Sequence, residues 1–172
     1  MKIVLKTLLD NKKAVISWSV MILWMILIFV LSAQSADDSS STSGNILTIL
    51  LKMIYPGFKD MDADTQFIIL EQYQGLIRKS AHFCIYGILG VISFASYDAL
   101  DKIKAKAVVP FAFITCVLYA VSDEIHQLFV KGRSCEFLDV VIDSSGALLG
   151  ILALYLIIKS IRSKKGSIRG NP

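Results

Sequence analysis

From Ala14 to Ala33 the chain reads AVISWSVMILWMILIFVLSA, without one ionisable side chain. A hydrocarbon core of about 30 Å takes roughly 20 helical residues to cross. Inside it every backbone polar group must find its partner within the segment, and a single segment does that only as a helix. Three further apolar blocks follow: Ala81–Tyr97, Ala107–Ser122, which carries Pro110, and Asp139–Ile158, which carries Asp139 and Asp143 in its first turn and a half. Apolar residues make up 55% of the 172 and sit in blocks, not at the spacing of a half-buried helix. The expected fold is all-α: a polytopic integral membrane protein with four transmembrane helices, forming a single domain over residues 1–172.

A cleavable signal peptide is the competing reading of the first block. Lys2, Lys6, Lys12 and Lys13 would be its basic region and Ala33-Gln34-Ser35 its cleavage site. The apolar core is longer than the 7–15 residues typical of such signals, so an anchor is expected.

Basic residues in short loops stay cytoplasmic, and this sets the orientation. With both termini inside, the cytoplasmic segments hold Lys2, Lys6, Lys12, Lys13, Lys102, Lys104, Lys106, Lys159, Arg162, Lys164, Lys165 and Arg169. The outer segments hold the other six basic residues, mixed with most of the acids. The net charge of +4 is therefore a topology signal, and no nucleic-acid partner is expected. The tail 159–172 would lie at anionic headgroups or be disordered.

The polar residues of interest then collect at the outer ends of three helices. Lys79 and His82 open the second span, Asp123 and Glu124 to Gln127 close the third, and Asp139 and Asp143 open the fourth. Lys79, His82 and Tyr86 share one helical face, as do Asp123 and Gln127; Asp139, Asp143, Gly146 and Gly150 form a stripe whose glycines permit close helix approach. Charges at membrane depth cost about 3 kcal/mol each on insertion scales, which makes the cluster a candidate site. Asp123, Glu124, Asp139 and Asp143 outnumber Lys79 and Arg133 by two. Protonation, charged histidines, a divalent cation or a cationic substrate would balance them. Oxygen donors with imidazole suit Mg²⁺, Mn²⁺ or Zn²⁺, although no specific metal-ligand spacing is present. Asp123-Glu124-Ile125-His126-Gln127 lacks the first histidine of the zinc-peptidase pattern. The plain alternative is a set of salt bridges pinning three helices, with His126 a hydrogen-bonded support and Tyr86 packing only.

Between Gln34 and Arg78 the outer loop opens with SADDSSSTSG, read as flexible linker, then two apolar helical segments, 46–55 and 65–78. The second is expected either as an interfacial lid over the pocket or as plain packing on the bundle. Asp60, Asp62, Asp64 and Glu71 fit positions of a calcium loop, but Thr65 stands where glycine is needed, and capping by Asp64 explains them better. Cys84, Cys116 and Cys135 have no spacing for a disulfide framework or thiolate site.

Lys79-Ser-Ala-His82-Phe83 with Tyr86 and Gly90, Ser122 through Gln127, and Gly132-Arg133 followed by Asp139, Asp143, Gly146 and Gly150 together resemble the VanZ-like family of bacterial membrane proteins, over about residues 14–158. Lys131 stands where that pattern often has proline, and Asp143 where asparagine is common. The resemblance implies a multi-pass protein of the bacterial cell membrane with a role at the envelope. The family's name comes from a protein giving low-level resistance to teicoplanin, a lipid-tailed glycopeptide, without altering the peptidoglycan termini. Membrane lipids and a lipid-linked envelope component or glycopeptide are the expected partners. The candidate catalytic residues are His82, Glu124 and Asp139, and the candidate binding residues Lys79, Tyr86, Asp123, Gln127, Arg133 and Asp143. An enzymatic alternative is metal-dependent hydrolysis or transfer at a lipid-linked phosphate: Lys79 and Arg133 hold the phosphate, Asp139 and Glu124 bind metal or act as base, and His82 donates a proton. A small proton-coupled transporter is the third reading.

Overall fold

The computed structural model describes residues 12–100, 103 and 105–169, with side chains described to 163. Lys2, Lys6, Lys102 and Lys104 lie outside the described residues, as do the side chains of Lys106, Lys164, Lys165 and Arg169. The described chain is all helical: α1 (Lys12–Ser32), α2 (Ala36–Ile54), a short 3₁₀ turn (Pro56–Asp60), α3 (Ala63–Asp98), α4 (Ala105–Gln127) and α5 (Phe137–Arg169). Four of these, α1, α3, α4 and α5, are long and apolar enough to cross a membrane.

All four outrun the apolar blocks that announce them. Pro110 sits inside α4 without ending it, and α4 continues through Asp123 and Glu124 to Gln127. The segment 65–78 is no separate interfacial element but the first part of α3, which is unbroken over 36 residues. At 1.5 Å per residue α3 is about 54 Å long, so part of it must stand outside a 30 Å core. The serine-rich run is not a linker either: it forms the start of α2. Ser35 caps α2 by accepting from the Asp38 amide, Asp37 and Asp38 lie in its first turn, and Ser39, Ser43 and Leu47 form a buried stripe. Likewise Asp62, not Asp64, caps α3, its carboxylate accepting from the Thr65 amide at 2.9 Å and holding its own pKa below the usual value.

The bundle centre is the contact between α3 and α5, which run parallel. A Cβ at Gly90 would strike the Ala147 carbonyl, one at Gly146 the Phe83 carbonyl, and one at Gly150 the Gly87 carbonyl. Backbone therefore lies on backbone, as small-residue interfaces in lipid require. α4 covers one side of this pair, where Cys116 and Ala120 pack with Tyr86, Leu89 and Ala147, and Ala112 packs with Phe94 and Ile151. α1 buries Met21 and Ile28 in the same core and is also fastened by side-chain hydrogen bonds: Trp24 Nε1 donates to the Ile85 carbonyl, the Tyr119 hydroxyl to the Met25 carbonyl, and Ser32 to Asp123. Its outward side chains, including Ile16, Leu23 and Val30, are more than half exposed, the surface of a helix solvated by lipid. At the other end of the bundle Arg162 of α5 meets Asp98 of α3 at 2.7 Å.

Candidate functional site

Where α1 and α4 end and α5 begins, the bundle opens into a small cleft, with a cavity volume of about 10 Å³, lined by Arg78, Lys79, His82, Gln127, Arg133, Asp139, Ile142 and Asp143. Six of these eight are residues singled out in the sequence, five by helical spacing and Arg133 by its charge and the family resemblance. α3 supplies Arg78, Lys79 and His82 along one face; α5 supplies Asp139, Ile142 and Asp143; α4 supplies Gln127 from its last turn. Arg133 comes from the 128–136 loop, where Gly132, at φ 75°, occupies a turn closed by the Arg133 amide donating to the Val130 carbonyl at 3.1 Å. The loop is tied back to the start of α2 through Ala36 N to Lys131 O, and through Arg133 Nε donating to Gln34 O at 3.3 Å.

Lys79 is saturated. Its ammonium donates to Asp139 at 2.5 Å and to Glu136 at 2.9 Å, and this contact holds the Glu136 carboxyl below its ordinary pKa. Arg133 has no carboxylate within salt-bridge distance among the described residues, nor does Arg78. Burial, and then the neighbouring Arg78, push the Arg133 guanidinium below its usual value. Two guanidiniums thus share one cleft.

Beneath them the acids are buried deeply: Asp143 is 0% exposed, Glu124 1% and Asp123 2%. Asp123 Oδ2 accepts from Ser32 at 2.8 Å and from Gln127 at 3.4 Å. Asp143 Oδ2 lies 3.5 Å from His82 Nδ1. Asp123 Oδ1, Asp143 Oδ1 and Glu124 Oε1 have no hydrogen-bond partner. The structure adds Glu136 to the acids and Arg78 to the bases, so the excess of two acids stands, and with Lys79 engaged by Asp139 and Glu136 it falls on the buried acids. Among the described residues one group can converge on a cation, His82, Asp123 and Asp143, whose ligand atoms lie within 4.8 Å of one another.

Other candidates stand apart from that group. Glu124 turns to the loop, its Oε2 accepting from the Glu136 amide at 2.9 Å, so it fixes the entry to α5 and is not part of the cleft lining. Asp139 is taken by Lys79. Tyr86 is wholly buried in the core, and its hydroxyl lies beside Asp123 and Asp143. His126 stacks on Phe29 with ring centroids 4.3 Å apart and Nε2 unbonded, a packed ring and not the hydrogen-bonded support expected of it.

Four participants were not singled out from the sequence for the site: Ser32, Gln34, Arg78 and Glu136. Ser32 had a signal, a hydroxyl closing an apolar helix, where interhelical hydrogen bonds form. Arg78 adjoins Lys79 on the same helix. The Gln34 carbonyl and Glu136 depend on loop paths that no periodicity encodes.

The protein-family model described as VanZ/LLP1 matches residues 17–159. No curated protein and no solved structure matches the chain.

Proposed function

The chain belongs to the VanZ/LLP1 family, and from that premise we propose that it is a multi-pass protein of the bacterial cell membrane whose cleft opens outward and binds the anionic headgroup of a lipid-linked envelope component. Its presence gives low-level protection against lipid-tailed glycopeptides of the teicoplanin kind. The observation that carries the reading is the Arg78–Arg133 pair. Two like charges in a partly buried cleft repel one another and lose hydration, and a phosphate or carboxylate between them would relieve both costs through charge-assisted, bidentate bonds. The outward orientation is supported by Lys12, Lys13, Lys159 and Arg162 at the end of the bundle remote from the cleft.

The test is teicoplanin and vancomycin susceptibility of a sensitive host expressing the wild type, Arg133→Gln and the Arg78→Gln/Arg133→Gln double variant, with membrane levels matched by immunoblot. Teicoplanin-selective protection by the wild type, reduced by the single and abolished by the double substitution, is the expected pattern. Protection undiminished in the double variant removes the headgroup reading; no protection from any form, or equal protection against vancomycin, removes the resistance reading.

A further inference from the structure

We infer that His82 of α3, Asp123 of α4 and Asp143 of α5 form the binding site of one divalent first-row transition cation beneath the cleft. Their ligand atoms are within 4.8 Å of one another, although they come from three different helices. The His82 Nδ1 to Asp143 Oδ2 separation of 3.5 Å is long for a charge-assisted hydrogen bond. It is close to the edge of about 3.4 Å in a tetrahedron with metal–ligand bonds of about 2.1 Å, and the wider separations in the group, up to 4.8 Å, close as an ion draws the ligands in. Each carboxylate keeps one oxygen, Asp123 Oδ1 and Asp143 Oδ1, without a partner in a fully buried setting. Such groups are rare in folded proteins unless a bound species satisfies them. Wholly buried Tyr86 places its hydroxyl beside the same two acids.

Asp123 is also held as ligating carboxylates are held. Ser32 and Gln127 donate to its other oxygen and fix the direction of the first. One imidazole with two carboxylates and no thiolate favours Zn²⁺ or Mn²⁺ over soft ions. Three protein ligands leave coordination positions over, as catalytic sites do, and two of the three, His82 and Asp143, line the cleft that Arg78 and Arg133 also line. The ligand class for those positions is an oxyanion, the phosphate or carboxylate oxygen of a bound headgroup. The cation site stands on its own geometry and does not need the headgroup reading to be right.

The full chain, purified in mild detergent and stripped with chelator, is dialysed against Zn²⁺ or Mn²⁺. Bound ion is counted by mass spectrometry and affinity measured by competition with a chromogenic chelator. One ion per wild-type chain is expected. Asp143→Asn, an uncharged isostere in the same helix, should bind at least ~10-fold more weakly, and Ser32→Ala, which keeps all three ligands, about 10–100-fold more weakly. A melting scan with and without ion checks that each variant is folded. A folded wild type that takes up no ion overturns the site, and so does a folded Asp143→Asn that binds as tightly as the wild type. An ion bound with no antibiotic protection leaves this site standing while the resistance reading falls.

Discussion

Gly146→Ala adds one methyl group at one of the close backbone crossings of α3 and α5, where the new Cβ meets the Phe83 backbone carbonyl. A carbonyl inside a helix cannot swing aside as a side-chain end can, so α3 and α5 must part. Restoring ordinary contact distances takes about 1 Å, enough to forfeit a quarter to a half of each dispersion contact along the seam. Overpacking of this kind typically costs about 1–3 kcal/mol. Alanine returns about 0.5–1 kcal/mol through its better helix propensity, which leaves a net loss of about 1–2 kcal/mol. The same separation acts on the site, because Gly146 lies one turn from Asp143 and Phe83 adjoins His82, so the His82–Asp143 distance should grow with it. Gly75→Ala is the control: its Cβ would meet nothing within 4 Å, so it should be neutral or slightly stabilising. Unfolding by SDS in mixed micelles, followed by the fluorescence of Trp18 and Trp24, reads the stability difference. If Gly146→Ala and Gly75→Ala unfold alike, the close backbone crossing does not exist as described and the site geometry built on it falls too.

Two further outcomes follow from particular contacts. Glu124→Ala should expose the Glu136 amide and free the 128–136 loop, with a loss of about 1–3 kcal/mol; cleavage in that loop under limited proteolysis should speed up, and an unchanged rate would show that Glu124 does not anchor it. The Lys79–Glu136 pair has a pH signature: the Glu136 pKa is lowered from 4.5 in the folded chain, so its contribution is present above that value and is lost as pH falls through the lowered one. Glu136 is 47% exposed, so screening limits the contribution to a few tenths of a kcal/mol; wild type and Glu136→Gln should converge in melting temperature on acidification, and a constant gap would refute the pairing.

Hydropathy made α1 legible, and helical spacing brought Lys79, His82, Asp139 and Asp143 to one place, since both depend only on local periodicity. The start of α2 was misread for a physical reason. Ser39 and Ser43 look like linker residues on a hydropathy scale, yet small side chains are what a close helix contact needs, and Ser35 with Asp37 and Asp38 makes a good helix start. The apolar block 107–122 is shorter than α4 because hydropathy drops at the acids, whereas the helical spacing of Asp123 and Gln127 carries the helix to its end. Asp123 joins the His82–Asp143 group only because Ser32 and Gln127 hold it there, and the Ser32 contact spans 91 positions. The loop that carries Arg133 hangs on the left-handed turn at Gly132 and on Glu124 gripping the Glu136 amide; both are tertiary facts that no stretch of sequence displays alone.

The unbroken length of α3 gives the cleft a lever. Ala63 stands about 24 Å along the axis from Lys79, and no proline or hinge interrupts the helix between them. α2 packs against this helix. A sideways push on the far end is therefore delivered without slack to Arg78, Lys79 and His82, with the glycine crossing as fulcrum. The outer end of α3 is thus joined through one continuous helix to the residues that line the cleft.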